Sequence, residues 1–207
     1  TMDKVTYSSD TTAAVPGADL SLGRYGLAAT GNSTHGYFGG GSPGPGPLST
    51  MDKVTYSSDT TAAVPGANLT VARRLLAATG NSDAGYFGGG RTASNTSLMD
   101  KVTYASDTTA AVPGANLTVA RRNLAATGNS THGYFGGGDS TTSLMDKVTY
   151  SSDTTAAVPG ANLTAARYGL AATGNSTHGY FGGGNPSTAQ MHKTTYSSDT
   201  TVAVPGA

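Results

Sequence analysis

Leu76-Ala-Ala-Thr-Gly-Asn-Ser-Asp-Ala-Gly-Tyr-Phe-Gly-Gly-Gly90 decides the fold, because the same word returns almost letter for letter from Leu27, Leu124 and Leu170. Each copy is followed by a connector of variable length and then by Met-Asp-Lys-Val-Thr-Tyr-Ser-Ser-Asp-Thr-Thr-Ala-Ala-Val-Pro-Gly or a close variant, which occurs five times. Met2, Met51, Met99, Met145 and Met191 lie 49, 48, 46 and 46 residues apart. A period of that length suits one four-stranded unit of a repeat protein. The length differences fall after each Gly triplet, in residues 42–50, 91–98, 139–144 and 185–190, as expected of loops.

Working outward from the quoted word, one unit reads as four short strands. The first, 75–79, is small and apolar and ends at Gly80-Asn81, residues that accept the positive φ of a tight hairpin turn. The second, 85–89, sends Tyr86 and Phe87 to opposite faces. Its glycines let a neighbouring backbone or ring approach closely. The third, 99–104, puts Val102 and Tyr104 on one face and Lys101 and Thr103 on the other. The fourth, 108–112, stops at Pro113, which has no N–H to give a ladder. Composition agrees with strands: among 207 residues there are 30 Gly and no Glu, Ile, Cys or Trp. Among helix formers Glu is missing and Leu is scarce, while Thr, Val and Tyr suit a pleated sheet.

A single such sheet is too small to be stable alone, so the units must stack and bury both faces. The expected fold is all-β: a β-propeller of four to five four-stranded antiparallel blades, with the first strand at the axis and the fourth on the rim. An open β-solenoid or fibre is the alternative. The units divide as a half blade at 1–18, holding only the outer two strands, and full blades at 19–66, 67–114, 115–160 and 161–207. Five outer hairpins against four inner ones suggest a piece of a longer repeating chain. They also suggest self-association through the unpaired N-terminal half blade, since a free strand edge is a template for pairing.

The residues resemble the kelch family of β-propellers. Gly85-Tyr86-Phe87-Gly88-Gly89 is similar to that family's aromatic and double-glycine signature. Tyr104 followed by Asp107-Thr108-Thr109 is similar to its tyrosine and acidic turn, and Arg121 sits where kelch units carry an arginine. The family's tryptophan, expected near Ala110 or Ala111, is absent. The inner word also resembles repeats of tail-fibre and structural proteins of aquatic bacteriophages. That likeness implies a virion-surface or extracellular location.

Arg24, Arg73, Arg121 and Arg167 hold one equivalent position before the first strand, and the next residue varies as Tyr25, Arg74, Arg122 and Tyr168. These eight are the candidate ligand-binding residues. A guanidinium and a phenol side by side suit a sugar or carboxylate. The plainer reading is that each first arginine bonds backbone carbonyls or an Asp of the neighbouring blade. His35, His132 and His178 recur in the first hairpin turn and read as turn residues, since the second unit has Ala84 there. Asp10, Asp59, Asp107, Asp153 and Asp199 likewise read as turn residues accepting backbone N–H bonds. Asn32, Asn68, Asn95, Asn116, Asn129, Asn162 and Asn175 begin Asn-x-Ser/Thr triplets, relevant as N-glycosylation sites if the source is eukaryotic and the chain secreted.

Twelve basic and twelve acidic residues cancel, so no basic footprint marks a nucleic-acid partner. No apolar run approaches the roughly 20 residues of a membrane helix, so membrane insertion is not expected. No metal, cofactor or catalytic residue is expected either. Repeats distribute identical groups, whereas catalysis needs different groups converging. The expected role is a non-enzymatic structural or binding module that recognises a surface glycan or partner protein, with a self-assembling fibre as the alternative.

Overall fold

The computed structural model describes residues 1–139, 142–187 and 189–205. Residues 140–141 and 188 of two connectors, and 206–207 of the fourth full unit, lie outside the described part. The described residues form eighteen strands in a regular series of antiparallel sheets. β1 (Asp3–Thr6) and β2 (Thr11–Ala14) pair as the half unit. The first unit contains β3 (Ala28–Gly31), β4 (His35–Gly39), β5 (Met51–Thr55) and β6 (Thr60–Ala63). The second contains β7 (Ala77–Gly80), β8 (Ala84–Gly88), β9 (Met99–Thr103) and β10 (Thr108–Ala111). In the third are β11 (Ala125–Gly128), β12 (His132–Gly136), β13 (Met145–Thr149) and β14 (Thr154–Ala157). β15 (Ala171–Gly174), β16 (His178–Gly182), β17 (Met191–Thr195) and β18 (Thr200–Val204) make the fourth. Each sheet keeps sequence order, and the register repeats from unit to unit, as in Tyr86 opposite Lys101 and Tyr134 opposite Lys147.

Strand limits follow local chemistry. β7 starts two residues later than expected because Leu75 has φ of +60°, a left-handed conformation shared by Gly26, Asn123 and Gly169 at the same position. The turn aspartates Asp59, Asp107 and Asp153 have φ of +51°, and Asp10 and Asp199 +50°. Asp is one of the few side chains that visits this region readily. After each fourth strand of the half unit and first three units, Pro-Gly-Ala makes one 3-10 turn, with proline at its first positions where no N–H is needed.

The sheets stack face to face, so Tyr86 and Phe87, on opposite faces of β8, are both buried. The first strands of successive units pack together, β3 on β7, β7 on β11 and β11 on β15. Among the described residues no comparable packing joins β15 to β3, and Ala171 and Thr173 of β15 are exposed. Each interior face buries one recurring set. Phe87, Phe135 and Phe181 reach back over the preceding unit, where a Cβ on Gly39, Gly88 or Gly136 would stand 2.9, 2.9 and 3.0 Å from a ring carbon. Glycine is therefore required by close approach at these strand ends. Complete burial of a Phe or Met side chain contributes about 1.5–3 kcal/mol, and Met51, Met99 and Met145 join the same cores.

Candidate functional site

The strands have two kinds of end, and each gathers its own residues. At one end the segment entering the first strand meets the loop leaving the second. Tyr25 bridges Ser42, Arg74 bridges Arg91, and Tyr168 bridges Asn185. The varying residues and varying loops thus share one edge. There the Arg74 guanidinium lies 6.0 Å from the centre of the Tyr25 ring, and its Nη1 donates to the Tyr25 hydroxyl at 2.9 Å. Tyr25 is 54% exposed. Arg122 Nε pairs with Asp139 Oδ1 at 3.2 Å, and Asn95 Nδ2 donates to the other oxygen of Asp139. Tyr168 is half-buried and holds the end of its loop through its backbone.

Arg24, Arg73, Arg121 and Arg167 do not line this edge as surface ligands. Their side chains are turned inward, and the first three form buried ion pairs: Arg24 with Asp52 at 2.8 Å, Arg73 with Asp100 at 3.0 Å and Arg121 with Asp146 at 3.0 Å. The carboxylate comes from the third strand of the same unit, not from a neighbouring one. Each guanidinium also donates to a strand-two carbonyl: Arg24 and Arg121 use their other terminal nitrogen for Phe38 and Phe135, whereas Arg73 uses the same Nη2 that faces Asp100 for Phe87. Burial pulls the Arg73 and Arg121 pKa values down, and the paired aspartates oppose the shift. Each carboxylate also accepts a hydroxyl and a backbone N–H, from Ser21, Thr70 or Thr118. A buried charge needs partners, and the carboxylates have theirs, whereas Nε and Nη1 of Arg73 and Arg121 are buried without a hydrogen bond. In the fourth unit His192 replaces the aspartate. Its Nδ1 lies 2.8 Å from the Thr164 hydroxyl, burial and then Arg167 lower its pKa, and Arg167 bonds Gly183 O and Gln190 Oε1 instead.

The position after the variable residue joins the units along the backbone. Leu75 N–H donates to Gly26 O at 2.6 Å, Asn123 N–H to Leu75 O at 2.9 Å and Gly169 N–H to Asn123 O at 2.7 Å. Gly, Leu, Asn and Gly share a left-handed backbone there, so this variation tracks a structural ladder.

At the opposite strand ends the first hairpin turn faces the end of the third strand. Open clefts repeat there: about 450 Å³ between the second and third units, lined by Asn81, Tyr86, Lys101, His132 and Tyr150, and about 430 Å³ between the third and fourth. A cleft of about 480 Å³ includes His35 and Tyr56. The histidines sit in these clefts not in the turn itself but at the first position of the second strand, paired with Thr55, Thr149 or Thr195, with Nδ1 2.8 Å from the hydroxyl of Thr34, Thr131 or Thr177. Burial, then Lys147, lowers the His132 pKa against the opposing pull of Asp199. Among the described residues no three His, Cys, Asp or Glu side chains gather as a metal site.

Sequence reasoning missed the joint beside these clefts. Among the described residues Asp107, Asp153 and Asp199 take no local N–H bonds and instead receive the preceding unit's side chains. Lys53 Nζ lies 2.8 Å from Asp107 Oδ2, Lys101 2.9 Å from Asp153 and Lys147 2.8 Å from Asp199. Tyr37 and Tyr134 hydroxyls donate to Asp107 and Asp199 at 2.5 Å, and Tyr86 donates to Asp153. The same tyrosines stack on Tyr104, Tyr150 and Tyr196 of the following unit at 4.7 Å. Burial first, then the Asp contact, raises the pKa of Tyr37, Tyr86 and Tyr134.

The asparagine triplets are built into the fold. Asn68, Asn116 and Asn162 accept the backbone N–H of Met51, Met99 and Met145. Asn32, Asn129 and Asn175 accept N–H bonds inside the first hairpin turn. No protein-family model matches the sequence, and no curated protein matches it.

Proposed function

We propose that the chain is a non-enzymatic structural and binding module, a propeller-like array of rigid units that presents its variable edge to a surface glycan on a virion fibre or other extracellular appendage. The Tyr25–Arg74 pair carries this reading. An exposed aromatic face beside a guanidinium offers a stacking surface and fixed hydrogen-bond donors, the two contacts a sugar ring with hydroxyl or carboxylate groups uses. The inward arginines, the turn aspartates and the strand lysines are largely consumed in holding the array together, so recognition falls to the residues that differ between units. The clefts at the other edge repeat one set of groups and offer no convergence of distinct acids and bases. A glycan array of bacterial and animal surface polysaccharides tests the reading: binding should fall at least about tenfold in Tyr25→Ala and Arg74→Ala, a loss of ~1.4 kcal/mol, with unchanged unfolding midpoints. Absence of binding to every glycan would overturn it.

A further inference from the structure

The interior joints are the same contact made three times, and the outer faces of the first and fourth units display its unmatched halves. On the outer face of the fourth unit, β15 is exposed where β7 and β11 are largely buried. Tyr180 is half-buried, whereas Tyr37, Tyr86 and Tyr134 are at most 1% exposed. A Cβ on Gly40, Gly89 or Gly137 would stand 2.5, 2.7 and 2.6 Å from the carbonyl oxygen of Arg73, Arg121 or Arg167 in the next unit, but nothing lies within 4 Å of the same point on Gly183. Gly182 likewise lacks the following phenylalanine ring that meets Gly39, Gly88 and Gly136. Among the described residues Lys193 has no ion-pair partner. An apolar hollow of about 210 Å³ remains between Ala171, Ala172, Thr173, Tyr180, Gly182 and Met191.

The first unit presents the complement. Phe38, Leu20 and Leu27 are half-buried, whereas Phe87, Leu69 and Leu76, their counterparts in the second unit, are buried. Tyr56 is 46% exposed against 6–7% for Tyr104, Tyr150 and Tyr196. The backbone ladder stops at Gly26 on this face and at Gly169 on the other. Hairpin β1–β2 covers only the outer part of the first unit's face. Every residue of both strands is exposed, and its ion pair, Lys4 with Asp59 at 2.7 Å, has side chains 50% and 36% exposed. Behind the hairpin an open cleft of about 450 Å³ still reaches Phe38, Val54 and Tyr56.

We infer that a second copy of this chain docks its first unit on the fourth unit, head to tail, displacing hairpin β1–β2. Tyr180 stacks on Tyr56, Lys193 pairs with Asp59, Phe38 covers Gly182, and Gly26 N–H donates to Gly169 O. A copy is the occupant because this surface asks for a phenylalanine, two leucines, a tyrosine and a left-handed aspartate at fixed spacing, and the first unit displays that set. The two surfaces differ, so the contact is heterologous and propagates as a filament or closes as a ring of chains. Hairpin β1–β2 competes for the same surface and sets the concentration at which association begins. None of this depends on glycan recognition, which uses the variable edge.

Sedimentation velocity of the full chain over a concentration series tests the inference, with circular dichroism checking that each variant folds. The wild type should gain mass with concentration, and Lys4→Ala, which loosens the hairpin, should do so at lower concentration. Gly183→Asn should remain a single chain, because asparagine tolerates positive φ and meets nothing in the free protein but fills the space the arriving Leu20 and Leu27 require. Lys193→Asp alone should weaken association by roughly tenfold or more, from like charges facing each other, whereas Asp59→Lys also breaks the Lys4 pair of the hairpin and is read only in the mixture. Mixed in equal amounts they should recover it, since each supplies the charge the other lacks. Single-chain mass for both wild type and Lys4→Ala at every concentration would overturn the inference, as would wild-type association of a folded Gly183→Asn. Should that variant fail to fold, absence of recovery in the mixture decides against it.

Discussion

Residues 124–138 and 170–184 are the same fifteen letters, Leu-Ala-Ala-Thr-Gly-Asn-Ser-Thr-His-Gly-Tyr-Phe-Gly-Gly-Gly, in two different environments. In the third unit Tyr134 is fully buried, stacked on Tyr196 and bonded to Asp199, and a sheet covers Ala125. In the fourth, Tyr180 is half-buried and Ala171 exposed. Both copies form the same two strands in the same register. The local word therefore specifies the hairpin, and the neighbouring unit specifies its burial. That is the energetic pattern of repeat proteins, in which a modest intrinsic term for each unit is completed by a nearest-neighbour interface.

The largest effect should come from the buried arginines. Arg121 and Asp146 are 1% and 0% exposed, so Arg121→Ala strands a carboxylate in the interior and should lower stability by about 3–5 kcal/mol in urea denaturation. Arg167 faces the neutral His192 in the fourth unit, and Arg167→Ala leaves no stranded charge. Its loss should be clearly smaller. Equal losses would mean that the arginines act through packing of their aliphatic stems and not through charge.

Next in size is the tyrosine joint. Tyr134→Phe keeps the stack on Tyr196 and removes one bond to a charged acceptor, a loss of about 1.5–3 kcal/mol. Tyr180→Phe, the identical change in the identical word, makes no such bond and should stay within about 0.5 kcal/mol of wild type in dilute solution. A comparable loss from both would show that the fourth unit's face is already covered under the conditions of measurement.

This contrast marks what was legible in the sequence. The period, the four strands of each unit and the burial of Tyr86 and Phe87 on opposite faces follow from alternation and turn chemistry. The meeting of Tyr25, Arg74 and Tyr168 with the following loops follows from strand order alone. Pairing across units was not legible, because every unit carries the same Tyr, Lys and Asp. A contact within one unit, to the next or to the previous one satisfies the letters equally well. The Arg–Asp pair did leave a trace: Asp100 shares the face of Val102 and Tyr104, and a carboxylate among apolar neighbours needs a buried cation. The exposure of β15 was the hardest to foresee, since that of Ala171 depends on which neighbour is present.

The smallest predicted effect is the acid response of the joints. Burial favours the neutral form of Asp107 and Asp199, but bonds from Lys53 and Tyr37, and from Lys147 and Tyr134, stabilise the carboxylate more, and both pKa values end below the ordinary one. The unfolded chain then binds a proton more readily than the folded one. The stabilisation is complete above the unfolded value of about 3.9 and is lost as pH falls through the folded value, so stability should decline as pH falls from about 5. Because these side chains are about one-third exposed, screening keeps the contribution of each joint small. Asp199→Asn should flatten part of the acid limb of the unfolding midpoint, and should flatten it less in a Tyr134→Phe, Lys147→Ala background that has already lost both bonds to the carboxylate. If Asp199→Asn flattened the limb as much in that background, the turn aspartates would owe their acid sensitivity to the turn itself, and the joint between units would not be its source.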